Sequence, residues 1–102
     1  MPTIYITAPG DAAETIARTL VEERLAACVN LLPCNSVYRW NGAIHTDAES
    51  VLLAKTTEDR YTDLKDRVEE LHPYEVPCLE RFDENDVLRK YEDWRTDSVG
   101  RD

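Results

Sequence analysis

Asn41-Gly42 constrains this chain more than any other pair of residues. Extended-looking segments flank it, at 29–32 and 37–40 before it and at about 44–56 after it. A type I′ turn needs positive φ at both central positions, which Asn and Gly tolerate, so the two segments are predicted to pair as a β-hairpin. Pro33-Cys34-Asn35-Ser36 interrupts the first arm, and a residue without an N–H donor predicts a bulge or bend there. An arm of about 13 residues at ~3.3 Å per residue reaches ~40 Å. A domain of this size has a radius of gyration of only ~13 Å. The hairpin is therefore expected to protrude from its own core, with Tyr38 and Trp40 on one face near its tip. Val51-Leu52-Leu53-Ala54 is apolar on both faces, which calls for cover on both sides, and a lone two-layer domain supplies one. Self-association supplies the other. A hairpin bent back onto its own sheet is the alternative.

The remaining elements follow from periodicity and punctuation. Residues 3–7 form a β-branched and aromatic strand closed by Ala8-Pro9-Gly10. Asp11 then caps an amphipathic helix over 12–27, with Ala13, Ile16, Ala17 and Leu20 on its inner face. Thr56-Thr57-Glu58-Asp59 supplies capping chemistry for a second helix carrying Tyr61, Leu64, Val68 and Leu71. That helix ends near His72, because Pro73 disfavours helical geometry in the residue before it. A strand over 76–82, a helix over 83–95 carrying Val87, Leu88, Tyr91 and Trp94, and a polar tail over 96–102 complete the chain. The order β-α-β-β-α-β plus a terminal helix predicts an α+β fold, the ferredoxin-like split-βαβ arrangement with an antiparallel sheet, as a single domain over 1–102.

Composition excludes several function classes. The 102 residues carry 21 acidic and 12 basic side chains, a formal net charge of −9, which repels a phosphate backbone. Nucleic acid is thus not an expected partner. No apolar run exceeds residues 25–29, far short of the ~20 needed to span a bilayer, so no membrane segment is expected. The N-terminal residues lack a basic region and an apolar stretch, and a cytoplasmic location is expected. Cys28, Cys34 and Cys78 are odd in number and contain no Cys-x-x-Cys, so they read as inert thiols.

The richest chemistry lies at 70–77, Glu70-Leu71-His72-Pro73-Tyr74-Glu75-Val76-Pro77, a rigid helix-to-strand junction bearing an imidazole, a phenol and two carboxylates. His72, Glu75 and Cys78 offer donor types that bind zinc or copper. A helix-terminal histidine interacting with the helix dipole is the simpler reading of His72. His45, Asp47 and Glu49 share one face of the hairpin, a weak cation surface or a solvated strand edge. Lys55, one of three lysines, ends an apolar run where it meets either an anionic ligand or a neighbouring acid. Neither histidine sits in a recognisable nucleophile motif, so catalysis is not expected. The first loop, Thr7-Ala8-Pro9-Gly10-Asp11, lacks the Cys-x-x-Cys of a metallochaperone and the arginine of an acylphosphatase-like enzyme.

Thr7-Ala8-Pro9, Arg24-Leu25-Ala26-Ala27-Cys28-Val29-Asn30, Tyr38-x-Trp40-x-Gly42, Leu53-Ala54-Lys55-Thr56, His72-Pro73-Tyr74 with Pro77, and Tyr91-x-x-Trp94 together resemble the CutA family of divalent-cation tolerance proteins over nearly the whole chain. The resemblance implies a homotrimer built by strands pairing between subunits and a link to divalent-metal tolerance. With no nucleophile motif in the sequence, a non-enzymatic protein with no required cofactor, associated with the response to divalent metal ions, is expected. Copper ligands proposed in some members are a Cys before Thr-Ala-Pro and paired histidines before Pro-Tyr; Ile6 and Leu71 occupy two of those positions here, leaving His72. Cys34 and Cys78 also depart from the family pattern. The metal reading therefore names His72 with Glu75 as a weak site for copper or zinc. The alternative is a signalling-type trimer holding a small anionic ligand in intersubunit clefts, with Lys55, Tyr74 and Trp40 as contacts.

Many acids and only three lysines among 12 basic residues form a composition suited to high salt, where a Debye length of ~3 Å at 1 M screens self-repulsion. This predicts a halophilic source, with an ordinary soluble acidic protein as the alternative, and a melting temperature that climbs steadily as KCl is raised toward molar concentrations. Undiminished stability in dilute buffer contradicts it.

Overall fold

The structure is a computed structural model describing residues 1–100. Its elements are β1 (Pro2–Ala8), α1 (Gly10–Glu22), β2 (Cys28–Trp40), β3 (Ala43–Lys55), α2 (Glu58–Leu71), β4 (Cys78–Asp83) and α3 (Arg89–Val99). The four strands form one antiparallel sheet in the order β2-β3-β1-β4. Two β-α-β units thus interleave, each helix crossing over one intervening strand, which is the ferredoxin-like arrangement.

Period-2 alternation drives β1: Ile4, Ile6 and Ala8 are fully buried under the helices while Thr3, Tyr5 and Thr7 turn to the other face. Leu52 and Ala54 of β3 continue the buried row, met by Ala13, Ile16, Ala17 and Leu20 of α1 and by Leu64 and Val68 of α2. Helix α1 stops at Glu22, earlier than the pattern to residue 27 suggests. Arg24 takes a left-handed φ of 59°, and the amides of Leu25 and Ala26 fold back onto the Leu20 carbonyl, closing the helix end. Asp11 lies within the first turn, not at the cap, where its charge still suits the positive end of the helix dipole. Of the expected capping stretch, Thr57 takes the N-cap position of α2 without a side-chain bond and Glu58 and Asp59 lie in its first turn, while the Thr56 hydroxyl is buried and donates to the Leu25 carbonyl at 2.6 Å.

The hairpin forms as expected, with Asn41 at φ 49° and Gly42 at φ 77°. The expected bulge at 33–36 is absent, for pairing runs unbroken from Cys28↔Lys55 through Pro33↔Ser50 to Trp40↔Ala43. Strand β2 is an edge strand, where a missing N–H that faces outward costs no ladder bond. The first six residues of β3 are all exposed, and the chain measures 46 × 26 × 20 Å, so the distal hairpin stands clear of the core. It does not bend back onto its own sheet.

The C-terminal part differs from expectation. Asp83 ends β4, paired with Pro2 and accepting from Arg81, so it cannot cap a helix. Helix α3 begins after Leu88, whose carbonyl takes the amides of Tyr91 and Glu92. It then continues through residues 96–99, which were expected to be tail. Val99 is 3% exposed and its carbonyl accepts two bonds from Arg60, which holds that last turn in place. Residues 101–102 of the expected tail lie outside the described residues.

Candidate functional site

Helices α1 and α2 cover one face of the sheet; the other is open. By register the open face carries Thr3, Tyr5 and Thr7 of β1, the odd-numbered residues of β3, the even-numbered residues of β2, and Cys78, Glu80 and Phe82 of β4. Leu32 and Phe82 there remain 46% and 53% exposed. All three cysteines lie on this face and are free thiols. Burial pushes the Cys78 thiol upward from its ordinary pKa, and the thiol donates to Glu80 at 3.8 Å, which keeps it protonated and inert.

The junction after α2 borders this face. Pro73 forces His72 into an extended conformation, φ −74° and ψ 134°, and the His72 amide closes the helix on the Val68 carbonyl. The imidazole is buried and used at both ends. Nε2 lies 2.7 Å from the Thr7 carbonyl, which can only accept, so Nε2 carries the proton; Nδ1 accepts the Tyr74 amide at 3.1 Å. His72 is thereby a clamp between the end of β1 and the junction. It is not a free ligand. Glu75 lies exposed beyond it.

The clamp aims Tyr74. Its ring lies 4.9 Å from the imidazole and its hydroxyl donates to Glu49 at 3.0 Å, and Glu49 is only 7% exposed. Burial first, and then the Glu49 carboxylate, push the phenol up to about 12. Farther along the hairpin, Tyr38 donates to Asp47, which raises its own pKa, and stacks on His45 at 5.6 Å. His45 Nε2 lies 3.3 Å from the Trp40 carbonyl. The expected row His45, Asp47, Glu49 does share a face, but each member is engaged by a tyrosine. Among the described residues no group of three His, Cys, Asp or Glu side chains is placed to hold a metal ion.

Lys55 donates to the Asn30 amide oxygen at 2.7 Å, a partner that neither reading of that residue named. Six β3 positions separate it from Glu49 and six more separate Glu49 from Ala43, the partner of Trp40. At ~3.3 Å per residue, Lys55, Tyr74 and Trp40 are strung over roughly 40 Å, so the chain does not bring them together. The Tyr74–Glu49 bond escaped sequence reasoning because it joins a loop to a strand 25 residues away. The rigid Pro73 and the parity of Glu49 were its only signals.

Residues 2–98 match the family model of the CutA1 divalent ion tolerance protein. The chain belongs to the CutA1 family. A CutA1-family relative, the divalent-cation tolerance protein CutA of Thermus thermophilus, is 46% identical over 99 residues, 95% of this chain and 96% of that protein. The PII-like protein CutA from Nostoc sp. PCC 7120, solved in apo form, superposes with a TM-score of 0.94 at 37% identity, covering 98% of each chain. The periplasmic divalent cation tolerance protein CutA from Archaeoglobus fulgidus gives 0.94 at 36%, covering 98% of this chain and 100% of that one. No helix among the described residues is long and apolar enough to cross a membrane.

The raised Tyr74 pKa sets the sign of an alkaline effect. A phenol held protonated in the fold stabilises it fully below pH 10, and that contribution is lost as pH rises from 10 to about 12. Urea midpoints are predicted to fall more steeply over this range for the wild type than for Tyr74→Phe. Parallel profiles contradict the Tyr74–Glu49 account.

Proposed function

We propose that this chain works as a non-enzymatic homotrimer in the response to divalent cations. The observation that carries this reading is the half-covered sheet: helices on one face, apolar side chains on the other, and a hairpin of two 13-residue strands extending past the core. Strands β2 and β4 are the two unpaired edges of that sheet. In the proposed trimer β2 of one copy pairs with β4 of the next, a head-to-tail contact that leaves no edge free when three copies complete the rotation. The names of the relatives supply the divalent-cation association. Both histidines are engaged by backbone groups, His72 by the Thr7 carbonyl and Tyr74 amide and His45 by the Trp40 carbonyl, which supports a binding role over a catalytic one. Three unpaired thiols suit a reducing compartment, the cytoplasm.

Cation contact in this reading is weak because of what it displaces. A copper or zinc ion takes the Nδ1 lone pair of His72 only by removing the Tyr74 amide from it, with the exposed Glu75 carboxylate completing the contact. Calorimetric titration with copper(II) and zinc(II) tests it. Weak heat that vanishes in His72→Ala and shrinks in Glu75→Gln is the expected result. Equal heats from wild type and His72→Ala remove the metal contact and leave the assembly reading standing.

The second reading, a small anionic ligand between subunits, is favoured by one observation: Lys55 presents its ammonium on the open face and is satisfied there by a neutral amide, not an acid. In that reading Lys55, Tyr74 and Trp40 come from different copies, since one copy spreads them too far apart.

A further inference from the structure

Helix α3 is fastened to its subunit by arginines. Arg60 Nε and Nη2 both donate to the Val99 carbonyl, at 2.9 and 2.7 Å, and Arg24 Nη1 donates to the Gly100 carbonyl at 3.1 Å. Two guanidinium groups thus grip the negative end of the helix dipole. From α3 itself, Arg95 reaches the carbonyls of Pro2 at 3.4 Å and Thr56 at 3.3 Å and forms an ion pair with Glu84 at 2.7 Å. Arg60 and Arg95 are 7% and 2% exposed.

Little apolar burial accompanies these bonds. Val99 is the one buried apolar residue of α3, while Trp94 and the preceding Leu88 point outward. The core cluster is built from β1, α1, β3, α2 and the α1–β2 loop, and takes nothing from α3. The fastening is also incomplete. The ion pair engages Glu84 Oε1, while Glu84 Oε2 and Arg95 Nε are buried without a hydrogen bond. Such atoms keep their desolvation penalty for as long as the helix stays docked, and undocking returns them to water.

We propose that α3 is a latched strap, which opens as a unit while the sheet, α1 and α2 stay folded. Opening releases the contacts of Arg24, Arg60 and Arg95. It also removes Thr96, Val99 and Gly100 from the lining of a groove of about 810 Å³ that includes Glu58, Arg60 and Arg81, and it frees the Arg60 guanidinium from the Val99 carbonyl. The strap is a polar device on an apolar scaffold, and regions with few buried apolar contacts open well below the global unfolding free energy.

Hydrogen exchange by mass spectrometry on the intact protein, at a series of low urea concentrations, tests this. Amides of α3 are expected to exchange at least ~100-fold faster than those of β1 and β3, with little dependence on urea because the opening exposes little surface. Arg60→Lys, which cannot reproduce the paired bonds to Val99, is expected to speed α3 exchange a further ~10-fold and leave β1 and β3 unchanged. Exchange of α3 that tracks β1 in rate and urea dependence overturns the strap; that is also the outcome if a neighbouring copy seated on Leu88 and Trp94 makes α3 open only with the whole assembly. An Arg60→Lys protein whose β1 amides accelerate as much as those of α3 overturns it equally.

Discussion

The pairing of β2 with β3 governs the rest of the molecule. Thirteen consecutive residue pairs join the two strands, and the Asn41-Gly42 turn sets their register by the positive φ that both residues accept. A one-residue slip would carry Leu52 and Ala54 to the open face and Val51 and Leu53 beneath the helices, so the turn and the buried row specify each other. Only the basal half of this ladder lies over a core. The distal half exposes Val37 and Ile44 on one side and Tyr38 and Trp40 on the other, an apolar protrusion that an isolated soluble subunit leaves uncovered.

The candidate site inherits its geometry from that ladder. Glu49 is the point at which β3 leaves the cover of the core, and Tyr74 closes over it there. His72 makes this closure possible by joining the end of β1 to the Tyr74 amide through a single neutral imidazole. A residue that looks like a metal ligand in sequence is, in the fold, a brace that orients a phenol. In the proposed reading a cation contact here is weak, because the imidazole nitrogens it would need already serve the protein's own hydrogen bonds.

Much of the fold was legible because it is written in local periodicity. The alternation of β1, the inner face of α1, the positive-φ pair at the turn and the Pro73 stop each act within a few residues. What escaped was non-local. Pro33 reads as a bulge until β2 is known to be an edge strand, and the last turn of α3 reads as tail because Arg60, 39 residues away, is what satisfies it. The site divides the same way. His72, Tyr74 and Lys55 were found by type and position, whereas their partners Thr7, Glu49 and Asn30 come from strands that only the sheet order brings near. Spread along the length of the β2–β3 ladder, Lys55, Tyr74 and Trp40 form a site only if copies of the chain meet.

That meeting is the central claim, and the mass of the protein in solution tests it most directly. Size-exclusion chromatography with multi-angle light scattering is predicted to give one species at three times 11.7 kDa, about 35 kDa. A monodisperse peak at 11.7 kDa would show that the open face and the protruding hairpin stand uncovered in solution, and would contradict the account.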